Sequence, residues 1–472
     1  MKQFIGAAAA LLYTSAVSAN LEARQNNCDN AVNDGGNWYC SMVKAITYNG
    51  VSGGDNKYNK ITSMDGDSGS CQSTPFSYSG NMAPLDEEVS MHVRGPAKLK
   101  QFAVYTPGGS SSDSKVRRSA TARRHAHAHA HAHKREADAA LGDMVYATIN
   151  GQVQSWANNW SGEPTSAPAA YSAPAATSAP AVQNKAYDAP SSAAAYSEAP
   201  SSAAASSAPA SSSSSSSSGG LFGLGGSSGD WTRQAYYNAE SGDADGLVFL
   251  NHNGGSGSGV FDYSFGNSLS YARADGKGGS SSPEVLDDCE LASSDEIIIM
   301  SDKECEGDSC GYYRPGTVAH HGFGGAEKAF FFEFQMPDDG QSSANKYDPV
   351  NMPAIWMLNA QIPRTLQYGN AECSCWTSGC GEFDIFEVLA PGDKRMKSTL
   401  HGNVNGGSSD YFDRPCDNTI KAVMVMKDND IHIKVLDDST EFGSTMPGSQ
   451  IDDVCGSQDL LSQLFSVFNL SS

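Results

Sequence analysis

A long tract in the middle of this chain cannot belong to any core. From about residue 161 to 229 the sequence is dominated by Ser, Ala, Pro and Gly, with an unbroken serine run from Ser211 to Ser218. Such a segment buries too little apolar surface to offset the entropy of ordering it. Residues 108 to about 140 lack a strand pattern too: they carry another serine run, the pairs Arg117-Arg118 and Arg123-Arg124, and alternating His-Ala from His125 to His133. The tract 108–229 is therefore expected to be a low-complexity linker and processing region, with room for a short ordered piece near 141–160. Whatever folds must come from two stretches, 20–107 and 230–472.

The linker carries two chemical signals. Lys134-Arg135 precedes Glu136-Ala137 and Asp138-Ala139, which resembles the site cut by a fungal kexin-type protease and trimmed by a dipeptidyl aminopeptidase. A core-free, charged segment is where such a protease reaches the backbone; the plain alternative is a solvated basic stretch. The alternating histidines suggest metal binding, but no carboxylate or Cys is spaced to complete a rigid site, so a polar linker is the expected reading. No metal and no cofactor are expected anywhere in the chain.

The chain opens with Lys2, an apolar run from Phe4 to Leu12, and the small residues Val17-Ser18-Ala19. Residues 1–19 thus read as a secretory signal peptide, too short to span a bilayer. The C-terminal Leu464 to Ser472 is too short and polar for a lipid-anchor signal, so a secreted product without a membrane span is expected. Eleven cysteines fit an oxidising compartment. Cys28, Cys40 and Cys71 lie near the N-terminus, and the other eight, from Cys289 to Cys455, could all pair among themselves. Cys373, Cys375 and Cys380 could also be thiolate metal ligands, although disulfides explain them more simply. Asn159-Trp160-Ser161 and Asn469-Leu470-Ser471 are N-glycosylation sequences. The formal net charge of -22 argues against nucleic acid as a partner and suits a neutral polysaccharide.

The two foldable stretches read as all-β. In the first, Trp38-Tyr39-Cys40, Val89 to Val93 and Leu99 to Tyr105 alternate like strands, suggesting a small Cys-containing N-terminal domain. In the second, candidates are Glu296 to Met300, Ala329 to Met336, Lys397 to Val404, Ile420 to Met426 and Ile431 to Leu436. The last two flank Lys427-Asp428-Asn429-Asp430 as a hairpin. Many strands, Gly-rich connections and no long amphipathic helix predict an antiparallel β-sandwich over 230–472.

Chemistry concentrates in Gly381-Glu382-Phe383-Asp384-Ile385-Phe386-Glu387. On a strand, residues two apart share a face, so Glu382 and Asp384 project together while Phe383 and Ile385 enter the core. Glu387 falls on the wrong face unless one extra residue bulges near Ile385-Phe386; bulges are common beside active sites. Three carboxylates would then share one face, and their mutual repulsion would raise at least one pKa. That suits a pair in which one carboxyl donates a proton and another stays ionised. The plain alternative is a solvent-facing strand with ordinary acids. Pro353-Ala354-Ile355-Trp356-Met357-Leu358-Asn359 precedes this stretch, and Ser398-Thr399-Leu400-His401-Gly402 follows it.

Together these three pieces resemble the core of glycoside hydrolase family 16, β-jelly-roll enzymes that include endo-β-1,3-glucanases and fungal wall transglycosylases. More closely, residues 30–107 and 230–460 resemble the fungal Tos-type cell-wall proteins, a family associated with β-1,3-glucanase activity. The resemblance implies a jelly roll, with Glu382 as nucleophile, Asp384 as the residue orienting it, and Glu387 as acid/base. It places Trp356 and His401 near the substrate cleft, with Trp376 as a further substrate-binding candidate. It implies retaining cleavage of β-1,3-glucan in the cell wall; the alternatives are transglycosylation at the same site, or a non-catalytic glucan-binding or structural wall protein. The chain departs from family 16 just before the acidic strand, where a Trp-Pro pair gives way to Cys373-Ser374-Cys375-Trp376-Thr377-Ser378-Gly379-Cys380, a loop expected to rim the cleft.

Overall fold

The computed structural model describes residues 31–108 apart from 35 and 53, 144–149, 152–157, 229–343, 348–456 and 464–470. The signal-like segment 1–19, Lys134, Arg135, the His-Ala run and Asn159 lie outside the described residues.

Two large sheets stack face to face. The first runs in the order Asp243–Asp245, Trp231–Asn238, Lys98–Pro107, Lys328–Gln335, Ile420–Lys427, Asp430–Val435, Ala45–Asn49, Phe465–Asn469, with Thr445–Met446 also beside Trp231–Asn238. The second runs Gly279–Ser280, Ser270–Ala272, Leu247–Asn251, Glu296–Ser301, Val89–Arg94, Ala354–Asn359, Glu382–Val388, Arg395–His401, Gly406–Gly407, with Phe412–Asp413 also beside Arg395–His401. Neighbours are antiparallel except Phe465–Asn469, which lies parallel to Ala45–Asn49. The all-β expectation therefore holds. A separate two-stranded hairpin occupies Met144–Ile149 and Gln152–Ala157.

Alternation fills the space between the sheets. Phe330, Phe332 and Phe334 from one sheet meet Ile297, Ile299, Ile355, Met357, Phe383 and Phe386 from the other in one core. The intervening Ala329 and Phe331 face outward but are also buried, beneath Phe442, Met446 and the helix Gly448–Cys455. Burial on both faces explains why Lys328–Gln335 reads as a nearly continuous apolar run rather than an alternating one. The hairpin between Ile420–Lys427 and Asp430–Val435 closes through Asp428 and Asn429, both at positive φ (53° and 71°). That backbone suits the right-handed twist of the flanking strands, and Asp and Asn tolerate it better than most residues.

One expectation is corrected. The N-terminal stretch is not a domain of its own: Val89–Arg94 lies between Glu296–Ser301 and Ala354–Asn359, and Lys98–Pro107 lies between Trp231–Asn238 and Lys328–Gln335. Isolated strands leave their backbone groups unpaired, and these find partners only in the C-terminal stretch. The tract 108–230 therefore joins two hydrogen-bonded neighbours, with Pro107 opposite Trp231 and the Gly108 amide donating to the Asp230 carbonyl at 2.7 Å. Cysteine pairing follows the same logic. Cys71 bonds Cys373 across 302 residues, so the C-terminal eight do not pair only among themselves; Cys289, Cys416 and Cys455 are free thiols. Among the described residues, no helix is long and apolar enough to cross a membrane.

Candidate active site

The acidic strand Glu382–Val388 has an extra residue. Against Ala354–Asn359 its register runs Glu382 to Leu358, Asp384 to Trp356 and Glu387 to Ala354, with Phe383 and Phe386 opposite Met357 and Ile355. Ile385 is the unpaired residue, and the shift recurs against Arg395–His401. Directly opposed residues share a face. Because 354, 356 and 358 alternate regularly, Glu382, Asp384 and Glu387 all lie on one face. The other face sends Phe383, Ile385 and Phe386 into the core, each fully buried. Gly381, at φ 105°, turns the chain into this strand; a Cβ there would meet Leu85 Cδ2 at 2.7 Å.

Each acid has a partner. Asp384 Oδ2 lies 3.0 Å from His401 Nε2. Glu382 Oε2 accepts the indole N–H of Trp376 at 2.5 Å. Glu387 Oε1 lies 3.6 Å from an Arg94 guanidinium nitrogen. Burial first, and the charge of Asp384 next, push both Glu382 and Glu387 above the ordinary carboxylate range. Burial pulls His401 down, but its bond to Asp384 and the surrounding acids win and raise it to about 9. Both glutamates are therefore held toward their protonated forms, and their titration belongs to the interacting cluster rather than to either residue alone. Trp376 donates to Glu382 and Arg94 faces Glu387, so each contact favours the ionised form of its own glutamate without offsetting the burial.

The aromatic candidates divide. Trp376 is open, 46% exposed, with its ring centroid 6.5 Å from that of His401. Trp356 is only 5% exposed, packed among Tyr58, Ala354, Leu358 and Ile362. It is a floor residue, stacked on His92 at 5.0 Å and covered by Arg94 at 5.6 Å, rather than an open sugar platform.

Trp376 is aimed by its loop. Two short 3-10 turns, Ala371–Cys373 and Cys375–Ser378, are capped by the Asn370 and Ser374 side chains, which accept from the amides of Glu372 and Trp376. Cys375–Cys380 closes the second turn on itself, and Cys71–Cys373 ties the first to the hairpin Asn56–Asp65 and Ser70–Tyr78. All three loop sulfurs are thus disulfide sulfurs, not thiolate ligands. His320 and His321 stand elsewhere: His320 is buried, and His321 Nδ1 lies 2.5 Å from Glu88.

The residues that sequence reasoning missed come from the N-terminal strand Val89–Arg94. Ser90, His92 and Arg94 alternate with buried Met91 and Val93. That period-2 polar pattern was a usable signal of one face lining a site, but nothing in the sequence placed the strand beside Trp356. Asn469, the described glycosylation candidate, is exposed on an edge strand, its Oδ1 accepting from Asn49 at 2.9 Å.

Comparison with known proteins follows this division of the chain. Residues 229–454 match the family model "Cell wall protein YJL171C/Tos1, C-terminal", and 44–107 match "Cell wall protein YJL171C/Tos1, N-terminal". A Candida albicans protein named "Probable circularly permuted 1,3-beta-glucanase TOS1" is 43% identical over 428 residues, covering 88% of this chain and 90% of its own length. An Arthroderma benhamiae protein named "Probable circularly permuted 1,3-beta-glucanase" is 41% identical over 465 residues, 96% of each chain. A Saccharomyces cerevisiae relative carrying the same name as the first is 40% identical over 432 residues, 89% of this chain and 91% of its own. No solved structure matches the chain.

Proposed function

Since the chain belongs to the YJL171C/Tos1 family of cell wall proteins, we propose that it is a secreted glycoside hydrolase that cleaves β-1,3-glucan with retention of configuration. The observation that carries this reading is the bulge at Ile385, which gathers Glu382, Asp384 and Glu387 on one face. The names of the relatives point to the same substrate.

In this reading Glu382 attacks the anomeric carbon, forming a glycosyl-enzyme as the glycosidic C–O bond breaks. Glu387 gives its proton to the departing oxygen, then takes one from the water that releases the sugar. Asp384, held by His401, shares the face of both glutamates and orients Glu382. Trp376 fixes the nucleophilic oxygen and presents an open ring to the substrate. The interleaved strands fit the circular permutation in the relatives' names: the N-terminal stretch supplies the strand next to Trp356. Cleavage after Lys134-Arg135 by a kexin-type protease, removal of residues 1–19 and glycosylation at Asn159 and Asn469 complete the proposed route to the wall.

A second reading has one observation in its favour. The indole of Trp376 already occupies Glu382 Oε2, as it would in a glucan-binding protein on a retired hydrolase scaffold. The test compares full-length wild type with Glu382→Gln on laminarin, following reducing ends and glucan binding. The hydrolase reading expects product from wild type alone. Binding without product from either protein supports the retired scaffold, and equal product from both overturns the assignment of Glu382.

A further inference from the structure

A fourth carboxylate faces the same side of the same sheet. Glu387, Ala354, Arg94 and Glu296 are successive cross-strand partners. Opposed residues share a face, so Glu296 looks toward the cleft from three strands away, about 14 Å from Glu387 by ordinary strand spacing.

Its surroundings favour an ionised carboxylate. Glu296 Oε1 accepts from His92 Nδ1 at 2.9 Å and from Gln367 Nε2 at 2.8 Å, and Oε2 accepts from the Tyr368 hydroxyl at 2.7 Å. Burial opposes ionisation, but these bonds, that from His92 first, hold its pKa down to about 2. No Lys or Arg pairs with it among the described residues. The side chain keeps 18% of its surface open. A carboxylate accepts about four hydrogen bonds, so acceptor capacity remains on Glu296. Gln367 is held beside it by the bond from Nε2, while its own Oε1 is buried and out of reach of a ligand.

Ser90 Oγ lies 2.8 Å from His92 Nε2, which gives Ser90, His92 and Glu296 the hydrogen-bond order of a serine-hydrolase triad. Ser90 and His92 have no exposed surface, so no acyl group reaches the hydroxyl. The chain of bonds instead holds His92 against Trp356.

We propose that Glu296, braced by Tyr368 and Gln367, forms a distal sugar subsite that binds hydroxyls of a glucosyl unit remote from the scissile bond. The proposal rests on reading the cleft as glucan-binding. Free acceptor capacity on an ionised carboxylate suits a neutral polyol, whose hydroxyls donate, and repels an anionic polysaccharide. A reach of about 14 Å is covered only by an oligosaccharide of several units, so the subsite makes long chains better substrates than short ones.

The test uses full-length wild type, Glu296→Gln and Tyr368→Phe on laminari-oligosaccharides from the disaccharide to the heptasaccharide. The readout is kcat/KM on the heptasaccharide divided by kcat/KM on the shortest oligomer cleaved. Both variants are expected to lower that ratio about tenfold, the worth of one hydrogen bond to a charged group. An unchanged ratio overturns the proposal, whether the variants are fully active or uniformly impaired. Calorimetric binding of the heptasaccharide separates this subsite from the hydrolase reading. If no protein hydrolyses but Glu296→Gln and Tyr368→Phe bind about tenfold more weakly, the subsite stands and the hydrolase reading falls. If wild type hydrolyses and neither variant alters length preference or affinity, the subsite falls alone.

Discussion

Glu387 is placed where its chemistry and its stability pull against each other. Burial and Asp384 hold its folded-state pKa above that of an unfolded carboxyl. As pH rises, the unfolded chain loses this proton first, so the contribution of Glu387 is fully present in acid and declines toward neutrality. Glu387→Gln is therefore expected to be more stable than wild type at pH 7, by on the order of 1 kcal/mol, with a higher Tm, and to lose that advantage at pH 4. The same variant is expected to lower kcat at least about 100-fold. Scanning calorimetry at the two pH values checks the first claim; a wild type at least as stable as the variant at pH 7 contradicts it. At this scale the sequence was informative. The alternation of Glu382 and Asp384 with Phe383, and the need for a bulge to turn Glu387 onto their face, follow from period-2 geometry. Glu296 and Tyr368 were not legible, because a lone Glu at a strand end and a loop Tyr acquire meaning only from distant partners.

The cysteine loop is the element that aims a side chain at the acids. Its 3-10 turns are short and would be weak alone, but Cys375–Cys380 and Cys71–Cys373 hold them against the Asn56–Asp65 hairpin. Trp376→Phe keeps an aromatic face and removes the N–H that meets Glu382. It is expected to lower kcat/KM about tenfold with Tm unchanged, measured by oligosaccharide kinetics and thermal melting. Unaltered kcat/KM would show that the indole N–H contributes nothing to catalysis. Removing the pair Cys71 and Cys373 by double Ala substitution is expected to cost about 2–4 kcal/mol of stability, read from denaturant titration under non-reducing conditions. No loss would mean the hairpin docks without its tether. Cysteine density marked this loop in the sequence, and its place before the acidic strand suggested a cleft rim. The Cys71 partner could not be read, since pairing depends on a chain path across 302 residues.

The whole molecule is a sandwich assembled from two distant stretches. Strand alternation was visible in both, but their neighbour order was not, because hydrogen-bonded partners here are separated by the linker. Pro107 meets Trp231 across 108–230, and a low-complexity tract looks like a domain boundary whether it joins two domains or two strands. Residues 20–107 expressed alone are expected to be unfolded by circular dichroism, and 229–472 likewise. Mixing them is expected to restore one cooperative transition, whereas cooperative melting of 20–107 alone would overturn the interleaved fold. The central claim joins fold to chemistry: the bulged strand presents Glu382 as the nucleophile of a retaining β-1,3-glucan hydrolase. It is tested most directly by trapping the glycosyl-enzyme with a 2-deoxy-2-fluoro laminaribiosyl fluoride and sequencing the labelled peptide by mass spectrometry. The account predicts one sugar on Glu382; a sugar on Glu387 or another residue, or no label on an enzyme that turns over laminarin, would contradict it.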